Sequence, residues 1–192
     1  MFSWSGRITM TAGSLLGLFL FPVTATGQTV TAQFDISGTS TVRGWTCPVE
    51  GVMDVTPGGS SEPIPGFPTG VETVALTIQA EAITCPEEDM TEHLREAMQI
   101  EEYPEIVYQL EEYRLKTDDV AEATGTMTIL GTTNPITFDI QLVQSDDGMR
   151  GVGEAELDMT DYGVTPPSVW LGMLNVGEIV TIKFDTPLPG SE

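Results

Sequence analysis

The sequence predicts an all-β fold: an eight-stranded antiparallel up-and-down barrel with a short flanking α-helix. Apolar and polar residues alternate with a period of two in several segments, as in strands that have one buried face. Turn residues separate these segments, for example Pro57-Gly58-Gly59 and Asp146-Asp147-Gly148. About eight antiparallel strands in one domain close most simply into a barrel, because closure removes exposed strand edges.

The strands differ in how clearly they alternate. Some have an apolar residue at every second position, whereas others show a shorter or interrupted pattern. The clear segments are Val74–Glu81, Ile136–Leu142 and Val180–Asp185, and the weaker ones are Thr31–Val42, Val49–Val55, Glu105–Leu110, Ala121–Leu130 and Gly151–Asp158.

One segment has helical rather than strand spacing. Glu87–Gln99 places Met90, Leu94 and Ala97 on one face, and Pro104 follows its end, which predicts a short helix beside the barrel. By contrast, Pro57–Thr69 is rich in proline and glycine and is predicted to be a loop.

The first 27 residues have the character of a secretory signal peptide. They contain one basic residue, Arg7, and no acid, followed by the apolar run Leu15–Phe21 and the small residues Ala25-Thr26-Gly27. The alternative is a membrane anchor, but spanning a bilayer takes about 20 apolar residues, and Pro22 ends this run earlier. We therefore expect cleavage after Gly27, no membrane-spanning segment in the mature chain, and a periplasmic or secreted protein.

Cys47 and Cys85 both lie in the exported part of the chain. In an oxidising compartment such a pair favours a disulfide, which here closes a loop of about 38 residues worth about 3–4 kcal/mol. Metal binding is the weaker alternative, since zinc needs about four ligands and the single histidine, His93, lies on the predicted helix among acids. No metal or cofactor is expected.

The chain is strongly acidic, with 29 Asp and Glu against 7 Lys and Arg and a formal net charge of −22. Such a surface repels phosphate backbones, so nucleic acid is not an expected partner. The charge is compatible with solubility and with a saline habitat. A cationic or calcium-bearing partner is the weaker alternative, since no D-x-[DN]-x-[DN]-G calcium loop is present.

No catalytic motif accompanies these features. The sequence lacks G-x-S-x-G, H-E-x-x-H and a glycine-rich phosphate loop, and a Ser-His-Asp triad would have to use His93. Adjacent acid pairs such as Glu101-Glu102 are expected by chance among so many carboxylates, and neighbours on a strand point to opposite faces. We expect a protein that is not an enzyme.

Four separated stretches, in the same order, resemble the YceI-like family of exported lipid-binding proteins. They are Phe34–Val42, Leu94–Met98 with Tyr103–Ile106, Gly125–Ile136 and Met159–Val164, within a resemblance that extends from about Thr31 to Leu188. It implies a lipocalin-like barrel over residues 28–192 that sequesters a polyisoprenoid or fatty chain. Many members carry arginine where this chain has Met159. The Trp45-Thr46-Cys47 stretch with Cys85 resembles a subset of members in which a disulfide cross-links the first half of the domain.

The apolar faces of the predicted strands supply the candidate ligand contacts, because a concave apolar site suits a hydrophobic ligand. Tyr108 and Trp170 are additional candidates for orienting a head group or covering the opening. The predicted lining is Leu76, Ile78, Ile106, Tyr108, Phe138, Ile140, Leu142, Ile182 and Phe184.

Two other functions fit the same pattern. A solid-cored stress-response or interaction module would use these apolar residues only as its core. An outer-membrane barrel also combines a signal peptide with alternating strands, but aromatic residues are sparse at 7% and form no girdles. The sequence allows a homodimer as well as a monomer.

Overall fold

The computed structural model describes residues 27–59, 62–169 and 173–189. This part of the chain contains nine strands and one α-helix, with short 3-10 turns after the third and seventh strands. The elements are β1 (Gln28–Ser40), β2 (Gly44–Pro57), β3 (Val71–Gln79), α1 (Glu88–Ala97), β4 (Glu105–Thr117), β5 (Val120–Ile129), β6 (Thr132–Ser145), β7 (Gly148–Asp158), β8 (Ser168–Val169) and β9 (Leu174–Pro187).

The eight long strands form the closed antiparallel up-and-down barrel that the alternation predicts. Each strand from β1 to β6 pairs with the next in the chain, and β9 pairs with both β7 and β1. The closing pair aligns Phe34 with Phe184 and Ile36 with Ile182, so the alternation continues across it. The two-residue strand β8 pairs only with β9 and lies outside this ring.

β5 shows why the sequence adopts this arrangement. Its residues alternate strictly between buried and half-buried positions, with Ala121, Ala123, Met127 and Ile129 inside.

β4 continues beyond its predicted extent, Glu105–Leu110. Its register with β5 shifts between Leu110 and Glu112, where the predicted segment ends. A bulge of this kind interrupts the period-two pattern without ending the strand. The alternation therefore predicts only the first half of β4.

One end of the barrel is plugged by the segment 62–70, part of the predicted loop Pro57–Thr69. Phe67, only 2% exposed, packs with Val55 and Val71, and Ile64 lies against the same cluster. The Tyr113 hydroxyl donates a hydrogen bond to the main-chain oxygen of Glu62 and accepts one from the Val71 amide at 3.0 Å. These contacts convert a proline-rich loop into a fixed plug.

Helix α1 lies at the opposite end and is fixed at its start. A disulfide joins Cys47 on β2 to Cys85, just before the helix, as predicted. The Thr91 hydroxyl accepts a hydrogen bond from the Cys85 amide at 2.9 Å, which supplies a partner for a main-chain donor beside the helix start. Arg95 donates a hydrogen bond to the main-chain oxygen of Glu81 at 3.0 Å. The helix is therefore attached to both β2 and the turn after β3.

Gly125 is required where Tyr108 lies across β5. A Cβ atom at this position would be 2.2 Å from the main-chain oxygen of Gln109 and 2.8 Å from the Tyr108 ring. We therefore expect Gly125→Ala to lower the free energy of unfolding by about 2–3 kcal/mol, as overpacking does. Urea denaturation measures the change. Gly44→Ala is the control, since its nearest contact of 3.6 Å is an ordinary one, and equal losses in both variants would contradict the steric argument.

The predicted signal peptide lies outside the described residues except for Gly27, so the cleavage site and the domain boundary at residue 28 remain predictions. Across the described ranges, no helix is both long enough and apolar enough to cross a membrane.

Candidate ligand-binding cavity

A cavity of about 680 Å³ occupies the barrel between the plug and helix α1. Every long strand contributes inward-facing side chains to its wall, and most of these are apolar. Folded interiors rarely contain voids larger than a water molecule, so this space is not a packing defect. Its volume lies within the range of about 300–1,000 Å³ that is usual for small-molecule sites.

The structure brings eight of the nine predicted ligand contacts to this wall. They are Leu76, Ile78, Ile106, Tyr108, Phe138, Ile140, Ile182 and Phe184. The ninth, Leu142, is buried at 6% exposure but is not part of the wall. It follows Ile140 on β6 towards the turn into β7, which is the plugged end of the barrel.

Other wall residues were not among the predicted contacts. Met127 and Ile129 on β5 and Ala155 on β7 carry the same alternation as the chosen strands and could have been found from it. Met90 and Leu94 come from the apolar face of α1, and only the docking of this helix over the barrel end shows that they reach the cavity.

Four aromatic rings form a continuous series along the wall. The ring centroids of Tyr108 and Phe138 are 5.5 Å apart, and those of Phe138 and Phe184 are 5.7 Å apart. Phe34 continues the series, with its centroid 6.4 Å from that of Phe184. These are ordinary tilted or edge-to-face separations, so the rings stabilise one another while presenting apolar surface to the cavity.

The cavity opens beside α1, where its wall reaches exposed residues of the turn between β1 and β2. Arg43 in this turn forms an ion pair with Glu87, the residue before the helix. Val42, beside Arg43, is 66% exposed. Asp89 and His93 of α1 also border the cavity, so the charged side chains of the described wall lie at the opening. Trp170, a candidate for covering the opening, is outside the described residues.

The interior holds little that could act chemically on a ligand. Burial is the main cause that raises the pKa of the Tyr108 phenol, with the charge of Glu111 adding to it, so this group stays protonated. Among the described residues, no cluster of His, Cys, Asp and Glu could hold a metal ion, and both cysteines are in the disulfide. The arrangement is suited to binding an apolar molecule.

A sequence model of the YceI-like domain matches residues 21–188. The chain belongs to the YceI-like family. The match spans the whole described barrel and agrees with the resemblance seen in the sequence. Comparison with curated proteins found no significant match.

Solved structures of similar shape extend this result. Burkholderia cenocepacia BcnA is 15% identical, with a TM-score of 0.60, over 81% of this chain and 94% of its own. A polyisoprenoid-binding domain from Saccharophagus degradans is 10% identical, with a TM-score of 0.52, over 80% of this chain and 91% of its own. At such low identity these likenesses support the YceI-like barrel fold alone, and they agree with it.

Proposed function

We propose that this YceI-like protein is an exported carrier that binds one long apolar chain, a polyisoprenoid or a fatty chain, inside its barrel. The observation that carries the proposal is the cavity of about 680 Å³, whose wall is mostly apolar. The binding of polyisoprenoid by the structurally similar Saccharophagus degradans domain supports the choice of ligand class.

The energetics favour a long ligand. Burying ten methylenes contributes about 8 kcal/mol, whereas association and ordering cost about 4–15 kcal/mol. A chain of ten carbons therefore binds weakly at best, and about twenty carbons are needed for a clear surplus. Prenyl and fatty chains reach this length within a narrow cross-section.

The cavity also supports the carrier over the solid-cored module that the sequence allows. A solid core would leave no space between the inward side chains, whereas here residues of all eight long strands line a shared cavity of about 680 Å³. The acidic exterior is compatible with both functions and does not decide between them.

Export to the periplasm, and a role without catalysis, are part of the same proposal. The disulfide supports an oxidising compartment. The cavity wall described above offers apolar contacts and no paired nucleophile and base, which supports binding without chemistry. A homodimer remains a prediction of the sequence.

Native mass spectrometry tests the carrier function. Protein purified from a membrane-containing host should carry a bound species of several hundred daltons, and stripped protein should take up geranylgeraniol, a twenty-carbon prenyl alcohol. We expect this because the wall can remove most of such a chain from water. Protein that is recovered without a bound species and also binds neither prenyl nor fatty chains would contradict the proposal.

A further inference from the structure

Two hydroxyl groups on residues of the cavity wall have no hydrogen-bond partner within the described part of the chain, and each hydroxyl oxygen has less than 1 Å² of exposed surface. They are the phenol of Tyr108, a residue only 6% exposed, and Oγ1 of Thr186, a residue only 4% exposed. Both residues belong to the cavity wall. Buried polar groups are nearly always paired, so two unpaired hydroxyls on the wall of one apolar cavity need an explanation.

Both hydroxyls lie near the plug rather than near the opening. Tyr108 is one inward-facing position before Leu110 on β4, and Thr186 is two residues before Leu188. Leu110 and Leu188 both pack against the cluster that contains Phe67 of the plug. The two residues therefore mark the deep end of the cavity.

The two hydroxyls also come from opposite walls. Tyr108 lies on β4 and Thr186 on β9. In the closed ring of eight strands, three strands lie between β4 and β9 in either direction, so the two strands face each other across the barrel. The rings of Tyr108, Phe138 and Phe184 connect these walls, and Phe184 precedes Thr186 by one inward-facing position. A group at the deep end can thus be contacted from both sides.

Charge at the deep end differs from charge at the opening. Of the described wall residues, Arg43, Glu87, Asp89 and His93 carry or can carry charge, and all belong to α1, its start or the β1–β2 turn. No described cation faces the deep end, so a phosphate or carboxylate buried there would be uncompensated. Neutral oxygen is the chemistry that two hydroxyls in an apolar wall can satisfy.

We propose that the ligand enters polar end first and carries an uncharged oxygen group, a hydroxyl or carbonyl, that hydrogen-bonds Tyr108 and Thr186 at the deep end of the cavity after their side chains turn to meet it. This inference rests on the proposed carrier function and adds to it the orientation and the head-group class of the ligand. Entry in the opposite orientation would leave the head group in water at the opening, where its charge would have little effect on the affinity.

The test compares three twenty-carbon molecules with the same branched chain: geranylgeraniol, geranylgeranyl phosphate and the hydrocarbon without oxygen. Each displaces the neutral dye N-phenylnaphthylamine from stripped protein, which gives its Kd. We expect the alcohol to bind about 5–30-fold more tightly than the hydrocarbon and at least about 10-fold more tightly than the phosphate.

Tyr108→Phe and Thr186→Val remove the hydroxyls and keep the shape of the side chains. Each variant should weaken binding of the alcohol about 5–10-fold and leave the Kd of the hydrocarbon unchanged. Because neither hydroxyl has a hydrogen-bond partner in the described protein, the Tm without ligand should not fall by more than about 2 °C. A purely structural role would instead lower the Tm and spare the preference for the alcohol.

Two controls carry the same substitutions outside the cavity wall, Tyr103→Phe and Thr137→Val, and both should bind like the unmodified protein. Equal affinity for alcohol, phosphate and hydrocarbon, or an alcohol affinity that survives both hydroxyl removals, would overturn the inference and leave the carrier function standing. If none of the three molecules displaces the dye, the carrier function itself fails.

Discussion

Replacing Ala155 by phenylalanine is expected to weaken binding of geranylgeraniol about 100-fold. Ala155 lies on β7, opposite Ile182 of β9 in the register, and belongs to the cavity wall. A phenylalanine ring there takes the place of about four methylenes of the ligand, which removes about 3 kcal/mol of binding free energy. Since the ring enters a cavity, its overpacking cost should stay below about 1–3 kcal/mol. Dye displacement measures the Kd, and thermal unfolding measures the stability.

Ala75→Phe is the matched control for this prediction. Ala75 lies on β3 between the wall residues Val74 and Leu76, so its side chain points to the outer face of the barrel. This variant should bind geranylgeraniol like the unmodified protein. If Ala155→Phe binds equally well, the ligand does not occupy the cavity.

The double variant Cys47→Ala/Cys85→Ala is expected to lose about 4 kcal/mol of unfolding free energy. The disulfide joins residues 38 positions apart, and its loss frees a loop that includes the plug and β3. For a domain of this size, a loss of about 4 kcal/mol lowers the Tm by about 8–16 °C. Differential scanning calorimetry of the oxidised protein and the variant measures the difference.

Two comparisons separate the cross-link from the change in packing. Cys47 is fully buried, so alanine there also removes a sulfur atom from the core. Reduced but unmodified protein keeps both sulfur atoms and should lose most of the same stability. A Tm within about 2 °C of that of the oxidised protein, in both samples, would show that the disulfide contributes little to stability.

Much of the fold could be predicted from the sequence because its signals are local. Alternation in segments such as Ile136–Leu142 fixes which side of a strand is buried, whatever its partners are. The two cysteines in the sequence allow one pairing between them, and the structure has it. The wall residues of the clear strands followed from the same alternation.

The features that sequence analysis missed depend on distant contacts. Nothing near Phe67 in the sequence indicates that it packs against Val55 and Val71 and closes one end. The sequence alone does not show where the cavity ends, so the predicted lining extends to Leu142, which is buried outside the wall. The unpaired hydroxyls of Tyr108 and Thr186 are equally hidden, because the lack of a partner is visible only once the surrounding strands are in place.

The fixed plug has a consequence for how the protein would exchange its cargo. If the barrel carries a ligand as proposed, loading and unloading would share the gap beside α1, because Phe67 and its neighbours pack at the other end. A lipid donor and a lipid acceptor would then have to bind the same face of the protein in turn. The ligand would then enter and leave the barrel at the same end and would not pass through it from one end to the other.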